Sequence, residues 1–211
     1  MNIHPQMNFR MHMPRINSEY REDAKRKILD AALDVAITNG WKSVTLDDIA
    51  RRVGVTKGAL YAYYENRDAL FRALILDVFT AFHRDLEKSL ADDPDLPVML
   101  DRLSELIFVS QNQYVSLFAQ MTSSISNDDV LREQFIGIYA KNSGLLQKQI
   151  LRLIKEDKIP KNNNPEEIAR GIVALAIGLR VTSVYLGKDS KEVRRIWINT
   201  VRLMFSLPPE K

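Results

Sequence analysis

The chain contains no cysteine. That excludes disulfides, thiol nucleophiles, iron–sulfur clusters and thiolate zinc sites, and it fits a reducing cytoplasm. Glycine and proline are sparse, eight of each in 211 residues, too few for a collagen-like or low-complexity chain. No apolar run approaches the ~18 to 20 residues that a membrane-spanning helix needs. The best candidate, Gly171 to Leu179, is nine residues long and is followed by Arg180. The three histidines, His4, His12 and His83, are too scattered to suggest a metal site, and His83 reads as an exposed or hydrogen-bonded side chain. No G-x-S-x-G elbow, P-loop, dinucleotide glycine pattern, H-E-x-x-H or E-x-x-H pair occurs. We therefore expect neither an enzyme nor a bound cofactor or metal.

A charge of one sign is also missing. Thirty Lys and Arg stand against 27 Asp and Glu, a formal +3 that is too mild to argue for nucleic acid by itself. The placement says slightly more, because Arg10, Arg15, Arg21, Lys25, Arg26 and Lys27 face only Glu19, Glu22 and Asp23 over that stretch. A solvated tail and helix start reads as well from it as a nucleic-acid contact does. With 45% hydrophobic and 27% charged residues, the composition is that of an ordinary globular chain of one or two domains.

Residues 1–18 carry neither a helical nor a strand period, contain two prolines and lack the apolar core of a signal peptide. They read as a flexible arm. Met1, Met7, Met11 and Met13 leave the start codon open, with Met13 the natural alternative to Met1.

From Glu19 onward the period is helical. Ile28, Leu29, Ala32, Leu33 and Ala36 recur at three and four residues, and Gly40 closes that helix. Thr45, with Asp48 three residues on, caps a short helix whose buried side is Leu46, Ile49, Ala50 and Val53, and Gly54 breaks it. Thr56 caps a third helix running to about Tyr64. Asn66 caps a fourth, with apolar positions from Leu70 to Leu90, that persists until Asp92-Asp93-Pro94 and would be ~36 Å long. Further helical segments are predicted over Met99–Ser123, Val130–Glu156, Pro165–Leu186 and Ser190–Phe205. No period-two alternation and no internal repeat is present. The expected fold is all-α, a small N-terminal unit joined by a long helix to a larger C-terminal one.

The informative stretch is Ser43 to Leu70, SVTLDDIARRVGVTKGALYAYYENRDAL. Two short capped helices joined at Gly54 have the layout of a helix-turn-helix, whose second helix lies in the major groove of DNA. Its exposed positions would be Lys57, Gly58, Ala59, Tyr61 and Tyr63; Leu60 and Tyr64 would point inward. Gly58 and Ala59 let the backbone approach base edges, Ala59 suits a thymine methyl, and Lys57 suits guanine acceptors. Tyr63, Thr45 and Arg67 suit phosphates. Arg51 and Arg52 read as a solvated face from which one could reach a phosphate.

From about Lys27 to Leu70 the chain resembles the DNA-binding domain of the TetR family of bacterial and archaeal transcriptional repressors. The matching features are ILDAAL at Ile28–Leu33, Gly40-Trp41, TLDDIARRVGV at Thr45–Val55, TKGALYAYY at Thr56–Tyr64, and Asn66-Arg67-Asp68-Ala69-Leu70. The family usually has Phe where Tyr64 stands and Lys where Arg67 stands. The resemblance implies that Lys57, Gly58, Ala59 and Tyr61 face the major groove and that Thr45, Thr56, Tyr63 and Arg67 hold phosphates. It divides the chain into residues 19–70, binding double-stranded DNA, and residues 71–211, binding an effector and forming a homodimer.

For the dimer interface the resemblance directs attention to the last two helices, and we expect Ile172, Leu186, Ile196, Trp197, Val201 and Met204 there. For the pocket of an unknown small organic effector we expect Phe82, Phe108, Gln111, Asn112, Phe118, Met121, Phe135, Tyr139, Leu175 and Leu179, aromatic, aliphatic and amide side chains of the usual kind. The implied protein is a cytoplasmic regulator with no membrane partner. It would bind a palindromic operator until the effector favours a differently spaced dimer. Whether it represses or activates is not written in the residues; repression is the family's default.

Overall fold

The structure is a computed structural model that describes residues 18–110, 124–161, 164–187 and 189–208. Among these residues every regular element is helical. The expected arm lies outside them, save Ser18.

Helix α1 (Ser18–Asn39) buries Ile28, Ala31, Ala32 and Ala36, one stripe at helical spacing, and Gly40 ends it with φ 73°. A 3-10 turn at Trp41–Ser43 follows. Trp41 is buried there and stacks on Phe71, ring centres 4.3 Å apart. Helix α2 (Leu46–Val53) begins with a full capping box: Thr45 Oγ1 accepts from the Asp48 N–H at 3.1 Å, and the Asp48 carboxylate accepts from the Thr45 N–H at 3.1 Å. Gly54 adopts the left-handed conformation, φ 81°, that turns the chain into α3 (Lys57–Tyr61). The third helix was predicted to reach Tyr64. It stops at Tyr61 because the Tyr63 and Tyr64 N–H groups both donate to the Leu60 carbonyl, which tightens the last turn.

Asn66 caps α4 (Arg67–Ser89), 23 residues and so about 34 Å long at 1.5 Å per residue. Leu70, Phe71, Leu74 and Ile75 enter one hydrophobic core with α1, α2 and α3, whereas Leu86 enters a second with the C-terminal helices. A boundary at residue 70 therefore falls inside a helix that serves both cores. The helix ends slightly before the predicted Asp92-Asp93-Pro94. Asp92 and Asp93 take left-handed backbone conformations, φ 64° and 46°, just ahead of Pro94. Buried Gln149 steadies this turn, donating to the Leu90 carbonyl at 3.3 Å and to Asp93 Oδ1 at 3.1 Å.

Helix α5 (Leu96–Glu105) starts earlier than the predicted Met99, since Pro97 sits in the first turn, where its missing N–H costs no helical bond. It passes into a π-helical turn at Leu106–Ser110 rather than continuing regularly. Helix α6 (Asp129–Lys155) is capped by Asp128, whose Oδ1 accepts from the Leu131 N–H at 3.0 Å. Helix α7 (Pro165–Leu186) is capped by Asn164 and closed by left-handed Gly187. Helix α8 (Ser190–Met204) packs on α5 and α7, burying Val193, Trp197 and Val201. Among the described residues no helix is long and apolar enough to cross a membrane.

Candidate nucleic-acid interface and apolar pocket

Helices α2 and α3 form the first site. Their inner sides, Leu46, Ile49, Ala50 and Leu60, are buried, which turns Lys57, Gly58 and Tyr61 outward, all exposed. Ala59 is half-buried beside them. A Cβ built on Gly58 meets only Thr56 Oγ1, at 3.8 Å, so packing within the chain does not require glycine there. Lys57 Nζ donates to Asp47 Oδ2 at 2.8 Å, and that hydrogen bond and charge push the lysine above its ordinary range. Any base contact by Lys57 would have to displace Asp47 first.

The two threonines differ. Thr56 Oγ1 accepts from the Ala59 N–H at 3.2 Å, a cap that leaves the hydroxyl proton available to a phosphate oxygen. The Thr45 hydroxyl already donates to Asp48 Oδ2 at 2.6 Å as well as accepting, so its place is that of a helix cap. Tyr63 is half-buried against the N-terminal core. Tyr64 is half-buried too, its phenol pushed up to about 12 by burial and by Asp77 and Glu22 nearby. That is the packing role read for it.

Arg67 is where the geometry departs from the expected phosphate contact. Its Nε donates to the Val44 carbonyl at 2.8 Å, a second nitrogen donates to the Trp41 carbonyl, and the guanidinium lies 5.0 Å from the centre of the Trp41 ring. The side chain thus bonds carbonyls at both ends of the 3-10 turn, that of Trp41 also accepting the Val44 N–H, and fixes the entry to α2. Arg67 therefore ties α4 to the entry of α2 with these nitrogens. Arg51 and Arg52 are exposed and lie beside Asp48 at 3.5 Å and Asp34 at 3.0 Å.

The second site is a cavity of about 180 Å³ among α4, α5, α6, α7 and α8. Phe82, Phe135 and Tyr139 line it, as expected for the pocket. Phe108 does not: it is buried in the core against Trp197, ring centres 6.1 Å apart, because the π-helical turn carries it inward. Leu175 and Leu179 pack against the same core from the neighbouring faces of α7 without reaching the cavity. Gln111, Asn112, Phe118 and Met121 lie outside the described residues.

Sequence reasoning missed most of the wall, including Val78, Phe79, Leu146, Val173, Ile177 and Arg180. The signal was spacing: Phe135, Ile138, Tyr139, Asn142 and Leu146 fall on one face of α6, with Phe79 and Phe82 opposite on α4. Asn142 Oδ1 is hydrogen-bonded to His83 Nδ1 at 2.6 Å. Arg180 is buried, donates to the Phe108 carbonyl at 3.3 Å, and is pulled down to about 10 by burial.

The residues expected at a dimer interface separate into two groups. Ile172, Trp197 and Val201 are enclosed within the chain's own core, and Ile172 and Trp197 line the cavity, so they have no surface to offer a second copy. The large apolar side chains at these positions fill the space between helices of one chain. Leu186 and Ile196 are exposed, and Met204 is half-buried with its terminal methyl beside Gly171. Exposed Leu203, one turn past Thr200 on the Ile196 face of α8, belongs to the same surface and was not read from the sequence. Ala174 and Gly178, exposed on α7, leave room for close approach.

A helix-turn-helix layout carried on a long helix, with a helical domain and an apolar cavity behind it, is the arrangement of the described residues. Residues 28–74 match the family model described as bacterial regulatory proteins of the tetR family. The N-terminal part of the chain is thus similar to the DNA-binding module of the TetR family. It is 29% identical over 100 residues to the biofilm operon icaADBC negative transcriptional regulator IcaR of Staphylococcus epidermidis, a match covering 47% of this chain and 54% of that one. The chain thus matches about half the length of that relative. It is 26% identical to the regulator YvdT of Bacillus subtilis, which is uncharacterised, over 79% of this chain and 84% of that protein. In fold it is similar to a TetR transcription regulator from Haloarcula marismortui, with a TM-score of 0.77 at 19% identity, covering 88% of this chain and 97% of that one.

Proposed function

We propose that the protein is a transcriptional repressor that binds a palindromic operator as a homodimer and is released by a small organic effector. Residues 19–70 bind the DNA; residues 71–211 dimerise and hold the effector. The observation that carries the reading is the outward face of α3, where Lys57, Gly58 and Tyr61 are exposed on a helix whose other side is fixed by buried Leu60. Lys57, Gly58, Ala59 and Tyr61 are the base-facing residues in this reading, and Thr56 and Tyr63 the phosphate-facing ones. The staphylococcal relative is a negative transcriptional regulator, which supports repression, and a regulator of this kind works in the cytoplasm, where the DNA is. Ile196 and Leu203 on α8, with Ala174 and Gly178 on α7, supply the self-complementary face that a two-fold operator requires.

Gly58→Ala tests the DNA reading. Alanine is the better helix former by about 1 kcal/mol, and the new methyl meets only ordinary contacts inside the chain, so stability is kept or raised. Fluorescence anisotropy with DNA upstream of the protein's own gene should nevertheless show at least about tenfold weaker specific binding. Wild-type binding should fall steeply with salt. Unchanged specific binding by Gly58→Ala would sink the placement of α3 in the major groove.

A further inference from the structure

The cavity is walled by aliphatic and aromatic side chains, and its side-chain polar atoms among the described residues belong to Tyr139, Asn142, Arg180 and Trp197. Asn142 and Arg180 already have partners. Asn142 Oδ1 is bonded to His83 Nδ1 at 2.6 Å, and Arg180 donates to the Phe108 carbonyl at 3.3 Å and is held by a further interaction. Trp197 differs: it is 0% exposed, and its buried indole N–H has no acceptor. Ser143 Oγ is also buried without a partner, but Ser143 is not part of the wall. A buried donor left unmade is costly and calls for an explanation. No oxygen of the described residues supplies the acceptor, so it has to come from what occupies the cavity that Trp197 lines. Water is a poor occupant at so apolar a wall, since it needs about two to four polar partners. The volume, about 180 Å³, exceeds the ~150 Å³ of a cavity that houses a benzene ring.

We propose that the effector is an uncharged, largely apolar molecule of about one ring in size that carries a carbonyl oxygen, to which the Trp197 indole N–H donates. This rests on the reading of the cavity as the effector pocket and adds the charge and polarity of what fills it. The absence of charge follows from the wall. Among the described residues no Asp or Glu lines it to meet a cation. An anion would give up its hydration for one neutral donor, because Arg180 is engaged elsewhere. A single carbonyl on an apolar body is far cheaper to desolvate, and the unmet N–H offsets that cost.

The test uses the full-length protein with two matched pairs, acetophenone with α-methylstyrene and cyclohexanone with methylenecyclohexane, in which a methylene group replaces the carbonyl oxygen. Benzoate serves as the charged counterpart of acetophenone. Affinities come from calorimetric titration, and heteronuclear NMR follows the indole N–H signals of the two tryptophans, that of Trp197 being the one missing from Trp197→Phe. The ketones should move the Trp197 N–H signal downfield and their hydrocarbon partners should not. Trp197→Phe keeps an aromatic ring and loses the donor, so the ratio of ketone to hydrocarbon affinity should fall at least about fivefold from its wild-type value. Benzoate should bind more weakly than acetophenone. An unchanged ratio in Trp197→Phe, an N–H signal that ketone and hydrocarbon move alike, or tighter binding of benzoate would overturn the assignment and leave the pocket reading standing. The wild-type spectra decide the matter even if Trp197→Phe does not fold. Binding of none of these molecules would remove the pocket reading, and the inference with it.

Discussion

The Arg67 guanidinium donates inside its own domain to the carbonyls of Val44 and Trp41 and lies over the Trp41 ring. Arg67→Lys keeps the charge and loses the fork, so two carbonyls share one flexible ammonium. We expect a loss of about 1–3 kcal/mol, seen in thermal melts as a drop of roughly 2–12 °C for a chain of this size. Specific DNA binding, compared at equal folded fraction, should change little. A variant with wild-type melting and weakened DNA binding would return Arg67 to the phosphate backbone. Sequence reasoning put it there because an arginine at a helix start beside a recognition helix has the chemistry for it. What the sequence did not carry is that residue 67 lies over residues 41 and 44, which only the packing of α4 across the 3-10 turn decides. Tyr64 shows the opposite case, its inward reading following from helical spacing alone. Thr45 lies between, its cap legible from Asp48 three residues on and the full occupancy of its hydroxyl not.

At the scale of elements, the helices that start on a short polar side chain and end on glycine were readable to within a few residues. Thr45 and Gly54 bracket α2, Asn66 opens α4, and Asn164 and Gly187 bracket α7. The π-helical turn at Leu106–Ser110 left no such mark, since its residues are as apolar as those of a regular helix. It was this turn that sent Phe108 into the core instead of the cavity. The caps also give acid sensitivity a definite sign. Hydrogen bonds from Thr45 hold the Asp48 carboxyl below the ordinary aspartate range, and those from the Leu131 N–H and Arg72 do the same for Asp128. A carboxyl lowered on folding contributes stability that is complete above the unfolded value of about 4 and is lost as pH falls through the folded value. Melting temperature should therefore decline below about pH 5, and Asp48→Asn should flatten part of that decline while lowering stability at neutral pH. Parallel pH profiles for wild type and variant would exclude the capping carboxylate as a source of acid lability.

At the scale of the whole molecule, the burial of α8 separates two kinds of substitution that the sequence could not tell apart. Its apolar residues Ile196, Trp197, Val201 and Met204 read as one set, yet a helix turns and only some positions face outward. Leu203→Glu places a charge on the exposed side. We expect it to convert a dimer to monomers in light scattering while helicity and monomer stability persist. Trp197→Ala should instead cost about 3–5 kcal/mol, the range for emptying a large aromatic site in a core. A Leu203→Glu protein that remains dimeric at micromolar concentration would move the interface off this face.

Leu131, in the first turn of α6, is 1% exposed and belongs to the core of the N-terminal domain, not to that of the helices that follow it. The Arg72–Asp128 ion pair, 3.1 Å, anchors the same end of α6 to α4. From Phe135 onward this helix forms the cavity wall, and Phe135 meets Phe79 of α4 with ring centres 5.3 Å apart. One rigid rod thus has its tip set in one core and its shaft in the other. The chain is in this sense indivisible: a fragment cut after α4 would open a hole where Leu131 sits. Melting of either half strips packing from the other, so the two cores are bound to a common fate.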